Sequence, residues 1–121
     1  MAYVDGYVLP VPVKNLEVYR KMAAHGGKIW REHGALDYKE CVAEDVSEGK
    51  VTDFPRSVAL EADETVIFSW ITYESRAERD RINKLVMEDP RMKELMESGQ
   101  GEGALDGKRM VYGGFEVIVS V

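Results

Sequence analysis

The run Thr65-Val66-Ile67-Phe68-Ser69-Trp70-Ile71-Thr72-Tyr73 is rich in β-branched and aromatic residues, and its apolar side chains fall on both alternating faces. Successive side chains in a strand point to opposite sides of the sheet, so both sides of this strand must be covered. At 121 residues the chain has material for one core, and residues 1–121 are read as a single domain. The fold must therefore bury this strand between helices on one face and something equally apolar on the other.

The two ends of the chain supply further strands. Tyr3-Val4-Asp5-Gly6-Tyr7-Val8-Leu9-Pro10-Val11 and Val111-Tyr112-Gly113-Gly114-Phe115-Glu116-Val117-Ile118-Val119 share a glycine, a following aromatic and an apolar tail in the same frame. Pro10 and Pro12 remove backbone donors and end the first of these. Leu16, Tyr19, Met22, Ala23, Gly26, Ile29, Trp30 and His33 then recur at steps of three and four, which predicts a helix with Asn15 as N-cap and Gly34 just past its end. Gly26, near the middle of that stripe, points to a close approach to a strand or to a kink.

Residues 35–46 alternate as a strand, with Leu36, Tyr38, Glu40 and Val42 on one face and Asp37, Lys39, Cys41 and Ala43 on the other. A turn-rich stretch follows, and residues 57–60 are read as a short strand or arm. Ser75-Arg76-Ala77-Glu78 is a capping-box pattern that starts a second helix carrying Ile82, Leu85 and Val86. Asp89-Pro90 breaks it and begins a short helix with Met92, Leu95 and Met96 buried. Residues 98–107 read as a mobile glycine-rich loop with Leu105 as its apolar anchor.

The order strand, helix, strand, strand, helix, strand predicts an α+β ferredoxin-like βαββαβ sandwich with an antiparallel sheet and the two terminal strands adjacent. Two helices cover one face of four strands. The second apolar face is expected to pack on another copy of the chain, sheet against sheet, as a homodimeric α/β barrel.

Charge narrows the partners. A formal net charge of −6, with Lys and Arg interspersed among more numerous Asp and Glu, argues against nucleic acid and against an acidic membrane surface. The N-terminus has no basic region followed by an apolar run, so no secretory leader is expected, and no apolar segment approaches the length of a membrane span. The single cysteine, Cys41, allows no intrachain disulfide and fits a cytoplasmic setting.

The segments at Tyr3-Val4-Asp5-Gly6-Tyr7, Gly49-Lys50-Val51-Thr52-Asp53-Phe54, Phe68-Ser69-Trp70-Ile71, Asp89-Pro90-Arg91-Met92-Lys93 and Asp106-Gly107-Lys108-Arg109-Met110-Val111-Tyr112-Gly113-Gly114-Phe115-Glu116 resemble the YbaA-like family of small bacterial proteins. The resemblance implies the dimeric α/β barrel, and neither a settled activity nor catalytic residues that carry over. The wider superfamily resembles a collection of small monooxygenases, haem-degrading enzymes, stress-inducible barrels and ligand-binding regulators, among which a shared fold does not choose.

Candidate chemistry rests on few residues, each with a plain structural alternative. Glu40 and Glu116 each point a carboxylate towards an apolar sheet face, where one without a partner acts as a general acid or base; the alternative is a salt bridge to Arg109, Lys39 or Arg56. Asp5 is the same case on the first strand. His25 and His33 lie about 12 Å apart along one helix, too far to share a metal; His33, near the helix end, reads as packed or favoured by the helix dipole, with a site as the alternative, and His25, at the edge of the stripe, as packed or facing a cleft. Cys41 reads first as a small core residue. No metal site and no cofactor are assigned.

The aromatic residues converge from every strand and the first helix, as expected either for a pocket holding a small, flat, apolar or aromatic ligand or for a dimer core. Tyr7, Trp30, Trp70, Tyr112 and Gly113 are the ligand-binding candidates, and Asp5, His25, Glu40, Arg109 and Glu116 the catalytic ones. Two readings follow. One is a small-molecule-binding barrel, which as an enzyme is a cofactor-independent oxygenase-like or isomerase-like one with Asp5, His25, Glu40, Arg109, Tyr112 and Glu116 as the residues to test; a pocket of a few hundred Å³ containing at least two of those side chains favours this reading. The other is a non-enzymatic, stress-related or structural dimer without a small-molecule site.

Overall fold

The structure, a computed structural model, describes residues 1–97 and 107–121. The loop expected over residues 98–107 and its anchor Leu105 lie outside the described residues, except Gly107. Strand β1 (Tyr3–Pro12) leads through a short 3-10 turn (Val13–Asn15) into helix α1 (Leu16–His33), followed by strand β2 (Asp37–Val42) and the four-residue helix α2 (Phe54–Ser57). Strand β3 (Glu64–Tyr73), helices α3 (Arg76–Glu88) and α4 (Pro90–Glu97) and strand β4 (Val111–Glu116) complete the chain.

The four strands form one antiparallel sheet in the order β2-β3-β1-β4, the ferredoxin-like arrangement, with the first and last strands as neighbours. Gly6 stands opposite Gly113 on one side and Trp70 on the other. On the face towards the helices, Leu9, Val11, Ile67, Ile71 and Tyr73 are buried against Tyr19, Ala23, Ile29, Ile82, Val86, Met92 and Leu95. This burial is the main stabilising term of the fold.

Helix ends follow the local chemistry. Ser75 accepts a hydrogen bond from the Glu78 backbone N–H, as the capping pattern requires, and Pro90 opens α4 directly after Asp89. Gly34 ends α1 at a φ of 121°, where a side chain would be strained, and its amide bonds back to Arg31. Asn15 occupies the N-cap position of α1 without a side-chain cap bond.

Four local expectations are corrected. Residues 57–60 form no strand: Asp53 caps the short helix α2 by accepting from the Arg56 N–H, and Val58 behind it is buried. Strand β2 is confined to Asp37–Val42, and β4 ends at Glu116, after which one further backbone bond joins the Val117 N–H to the Ala2 carbonyl at 3.0 Å. The close approach to a strand occurs at Gly27 rather than Gly26: a Cβ at Gly27 would lie 2.7 Å from the Tyr38 ring of β2, whereas one at Gly26 would make ordinary contacts near 3.7 Å.

Candidate functional site

Between α1, α4 and the sheet lies a cavity of about 310 Å³. Leu9, Met22, Ala23, Ile71, Met92 and Leu95 form much of its wall, Tyr7, Tyr19, Trp30 and Tyr38 contribute rings, and Met87, Met96 and Met110 complete it. Gly26 lies on its lining, so the missing side chain on the apolar stripe leaves room for the cavity. Flexible methionines let such a wall adjust to the shape of an occupant.

Glu40 supplies the carboxylate of this cavity. The alternation of β2 turns Tyr38 and Glu40 towards α1, and the two oxygens of Glu40 are shared out: Tyr19 donates to Oε1 and Tyr38 to Oε2, both at 2.6 Å. The expected salt bridges to Glu40 do not form. Lys39 faces the other side of the sheet and pairs with Asp37, Arg56 pairs with Asp53 and Glu48, and Arg109 pairs with Glu64 at 2.6 Å. Burial first, and the neighbouring Glu40 charge second, push the phenols of Tyr19 and Tyr38 well above their ordinary value, so both remain donors at neutral pH. Tyr7 is raised in the same sense, chiefly by burial. The adjoining open hollow between α1 and β2 shares Tyr19, Ala23, Tyr38 and Glu40 with the cavity, so the carboxylate sits at the boundary between the two.

Asp5 belongs to a separate polar network under the helices. It is 6% exposed, its Oδ1 lies 3.5 Å from Arg79 Nε, and its Oδ2 accepts from Asn83 at 3.5 Å. Asn83 Oδ1 in turn accepts from Trp30 Nε1 and from the Tyr73 hydroxyl, both at 3.0 Å. Arg79 also donates to the Tyr3 hydroxyl at 3.0 Å and packs on that ring. Burial raises the Asp5 carboxyl above its ordinary value, while Arg79, Asn83 and Tyr73 pull it back. The network thus ties the indole of the cavity wall to the centre of the sheet.

Of Asp5, His25, Glu40, Arg109, Tyr112 and Glu116, Glu40 alone lines the cavity, so the expected gathering of at least two of them there is not met. His25 is on the exposed side of α1, Arg109 is held by Glu64 and the Ala59 carbonyl, and Glu116 is exposed at the end of β4 opposite Tyr3. Of the ligand-binding candidates, Tyr7 and Trp30 line the cavity, and Tyr112 stacks on Tyr7 with ring centroids 6.1 Å apart. Trp70 and Gly113 lie on the opposite face of the sheet, where the Phe115 ring covers the gap left by Gly6 and Gly113. Gly114 faces the helices instead and makes room for Tyr3 and Arg79.

Arg79 and Asn83 were not among the sequence candidates, although their spacing of four residues on α3, next to Ile82 and Val86, puts two polar side chains beside a buried stripe. Tyr19 carried no polar signal within its apolar stripe. His33, read as a packed or dipole-favoured histidine, bonds Asp89 at 2.8 Å. Among the described residues, no three His, Cys, Asp or Glu side chains gather as a metal site, and no helix is long and apolar enough to cross a membrane.

The opposite sheet face is apolar and open. Phe68 is 42% exposed and Phe115 63%, with Trp70 and Val111 between them, and Phe54 of α2 stands edge-on to Phe68.

The family described as "Protein of unknown function (DUF1428)" matches residues 2–102 of this chain. The uncharacterized protein YbaA of Escherichia coli (strain K12) is 51% identical over 119 residues, covering 98% of each chain. Among solved structures, a dimeric ferredoxin-like protein from an uncultured marine organism superposes with a TM-score of 0.61 at 12% identity, over 100% of both chains. SnoaB, a cofactor-independent oxygenase from Streptomyces nogalater, superposes with a TM-score of 0.55 at 10% identity, over 99% of this chain and 96% of its own. At such identities the likeness is one of fold.

Proposed function

This chain belongs to the DUF1428 family of proteins of unknown function, and from its geometry we propose that it is a homodimeric barrel protein that binds a small, flat, largely apolar molecule between its sheet and its helices. The observation that carries this reading is the cavity of about 310 Å³, within the size range of small-molecule sites, walled by apolar and aromatic side chains with one hydrogen-bonded carboxylate at its edge. The function is proposed as binding, because the cavity gathers one titratable candidate, Glu40, and no second acid, base or nucleophile from the catalytic set beside it.

The second copy packs on the open sheet face. Phe68, Trp70, Val111 and Phe115 form an apolar patch there that a monomer leaves in water, and the marine ferredoxin-like neighbour is itself dimeric.

Calorimetric titration with 2-methylnaphthalene tests the binding reading, with Ala23→Leu as the variant that fills the cavity. Saturable binding by the parent protein, weakened about tenfold or more in the variant, is the expected result. An absence of saturable heat in the parent, or equal binding by both proteins, overturns it.

A further inference from the structure

Glu40 is the one acidic side chain lining the cavity among the described residues, and no Lys, Arg or His joins it there. Its two hydrogen bonds come from neutral phenols. Each carboxylate oxygen accepts two hydrogen bonds, so the bonds from Tyr19 and Tyr38 occupy half of that capacity. Lys39 pairs with Asp37 on the other sheet face, and the Arg20 side chain, 79% exposed, lines the adjoining hollow and not the cavity, 3.8 Å from Glu17.

A carboxylate beside an apolar cavity, without a positive partner, favours an occupant that brings one. The rings of Tyr7, Tyr19, Trp30 and Tyr38 add to this, because the negative face of an aromatic ring attracts a cation. The same charge repels an anion of similar shape, and no cationic side chain among the described residues of the cavity wall offsets that repulsion.

Resting on the cavity-binding reading above, we infer that the molecule bound there is a small organic cation: a flat apolar body carrying a protonated amine. The body fills the space beside Gly26, Met92 and Leu95, and the ammonium donates to Glu40 at the boundary with the open hollow.

Three probes of one shape test this by calorimetry at neutral pH: 2-naphthylmethylamine, 2-methylnaphthalene and 2-naphthoate. The amine is expected to bind about tenfold tighter than the hydrocarbon, and the naphthoate more weakly than either. In Glu40→Gln the advantage of the amine is expected to disappear while the hydrocarbon keeps its affinity within about twofold. Equal binding of amine and hydrocarbon by the parent protein, or tightest binding of the naphthoate, overturns the cationic occupant and leaves the cavity reading standing. No saturable binding of any of the three overturns the cavity reading and this inference with it. The ranking in the parent protein decides the matter even if the variant does not fold.

Discussion

The Tyr38 ring rests against the bare Cα of Gly27, so that a Cβ at that position would lie 2.7 Å from its Cδ1. The neighbouring Gly26 has ordinary room, with Met92, Trp30 and Leu95 at 3.7–3.9 Å. Two adjacent glycines of one helix therefore respond oppositely to alanine. Gly26→Ala gains helix propensity and is expected to stabilise by up to about 1 kcal/mol. Gly27→Ala gains the same propensity but forces Tyr38 away from Glu40, and overpacking of this kind costs about 1–3 kcal/mol, leaving a net loss. Urea unfolding of both variants checks the opposed signs, and a stabilised Gly27→Ala would refute the contact.

Tyr19 and Tyr38 hold one oxygen each of Glu40, at 2.6 Å. Replacing either by Phe removes a charge-assisted donor from a half-buried carboxylate and is expected to lower stability by about 1.5 kcal/mol. Glu40→Gln, measured beside them, removes the charge that both phenols serve. If Tyr38→Phe has no further effect in the Glu40→Gln background, the interaction is the pairwise one described.

The sheet order and both long helices were legible in the sequence because they rest on periodicity: alternation in 3–11 and 65–73, and steps of three and four from Leu16 to His33. The glycines were not. The shared frame of Gly6 and Gly113-Gly114 does not say which face each glycine bares: alternation puts Gly114 on the helix side under Tyr3 and Arg79, while Gly6 and Gly113 lie under Phe115. Side-chain partners were also hidden. Glu40 suggested a salt bridge, since a carboxylate in a strand usually seeks a cation, yet the fold brings two tyrosines to it from α1 and from its own strand. Arg79 and Asn83 were overlooked because polar residues on a helix ordinarily face water, and only the packing of α3 over β1 turns them towards Asp5.

The open sheet face gives a direct assembly prediction. Phe68→Ser combined with Phe115→Ser removes two large exposed rings from the patch without touching the helix-side core. Sedimentation velocity at micromolar concentration is expected to show a dimeric mass for the parent and a monomeric mass for the double variant, with unchanged circular dichroism. A parent protein that sediments as a monomer contradicts the proposed pairing.

Asp89 joins three elements at the end of α1. It accepts from Arg91 at 2.9 Å and from His33 at 2.8 Å, while Arg91 also pairs with Glu32 at 2.6 Å. The Arg91 bonds first, and His33 next, hold the Asp89 carboxyl well below the usual carboxylate range. A carboxyl depressed in the folded state contributes stability that is fully present above its unfolded pKa of about 3.9 and is lost as the pH falls towards the folded value. Asp89→Asn lacks that contribution. The stability advantage of the parent over Asp89→Asn in urea unfolding is therefore expected to be greatest near pH 5 and to shrink stepwise at about pH 4, 3 and 2. An advantage that stays constant over this range would show that the carboxyl is not depressed and that the junction between α1 and α4 does not depend on its charge.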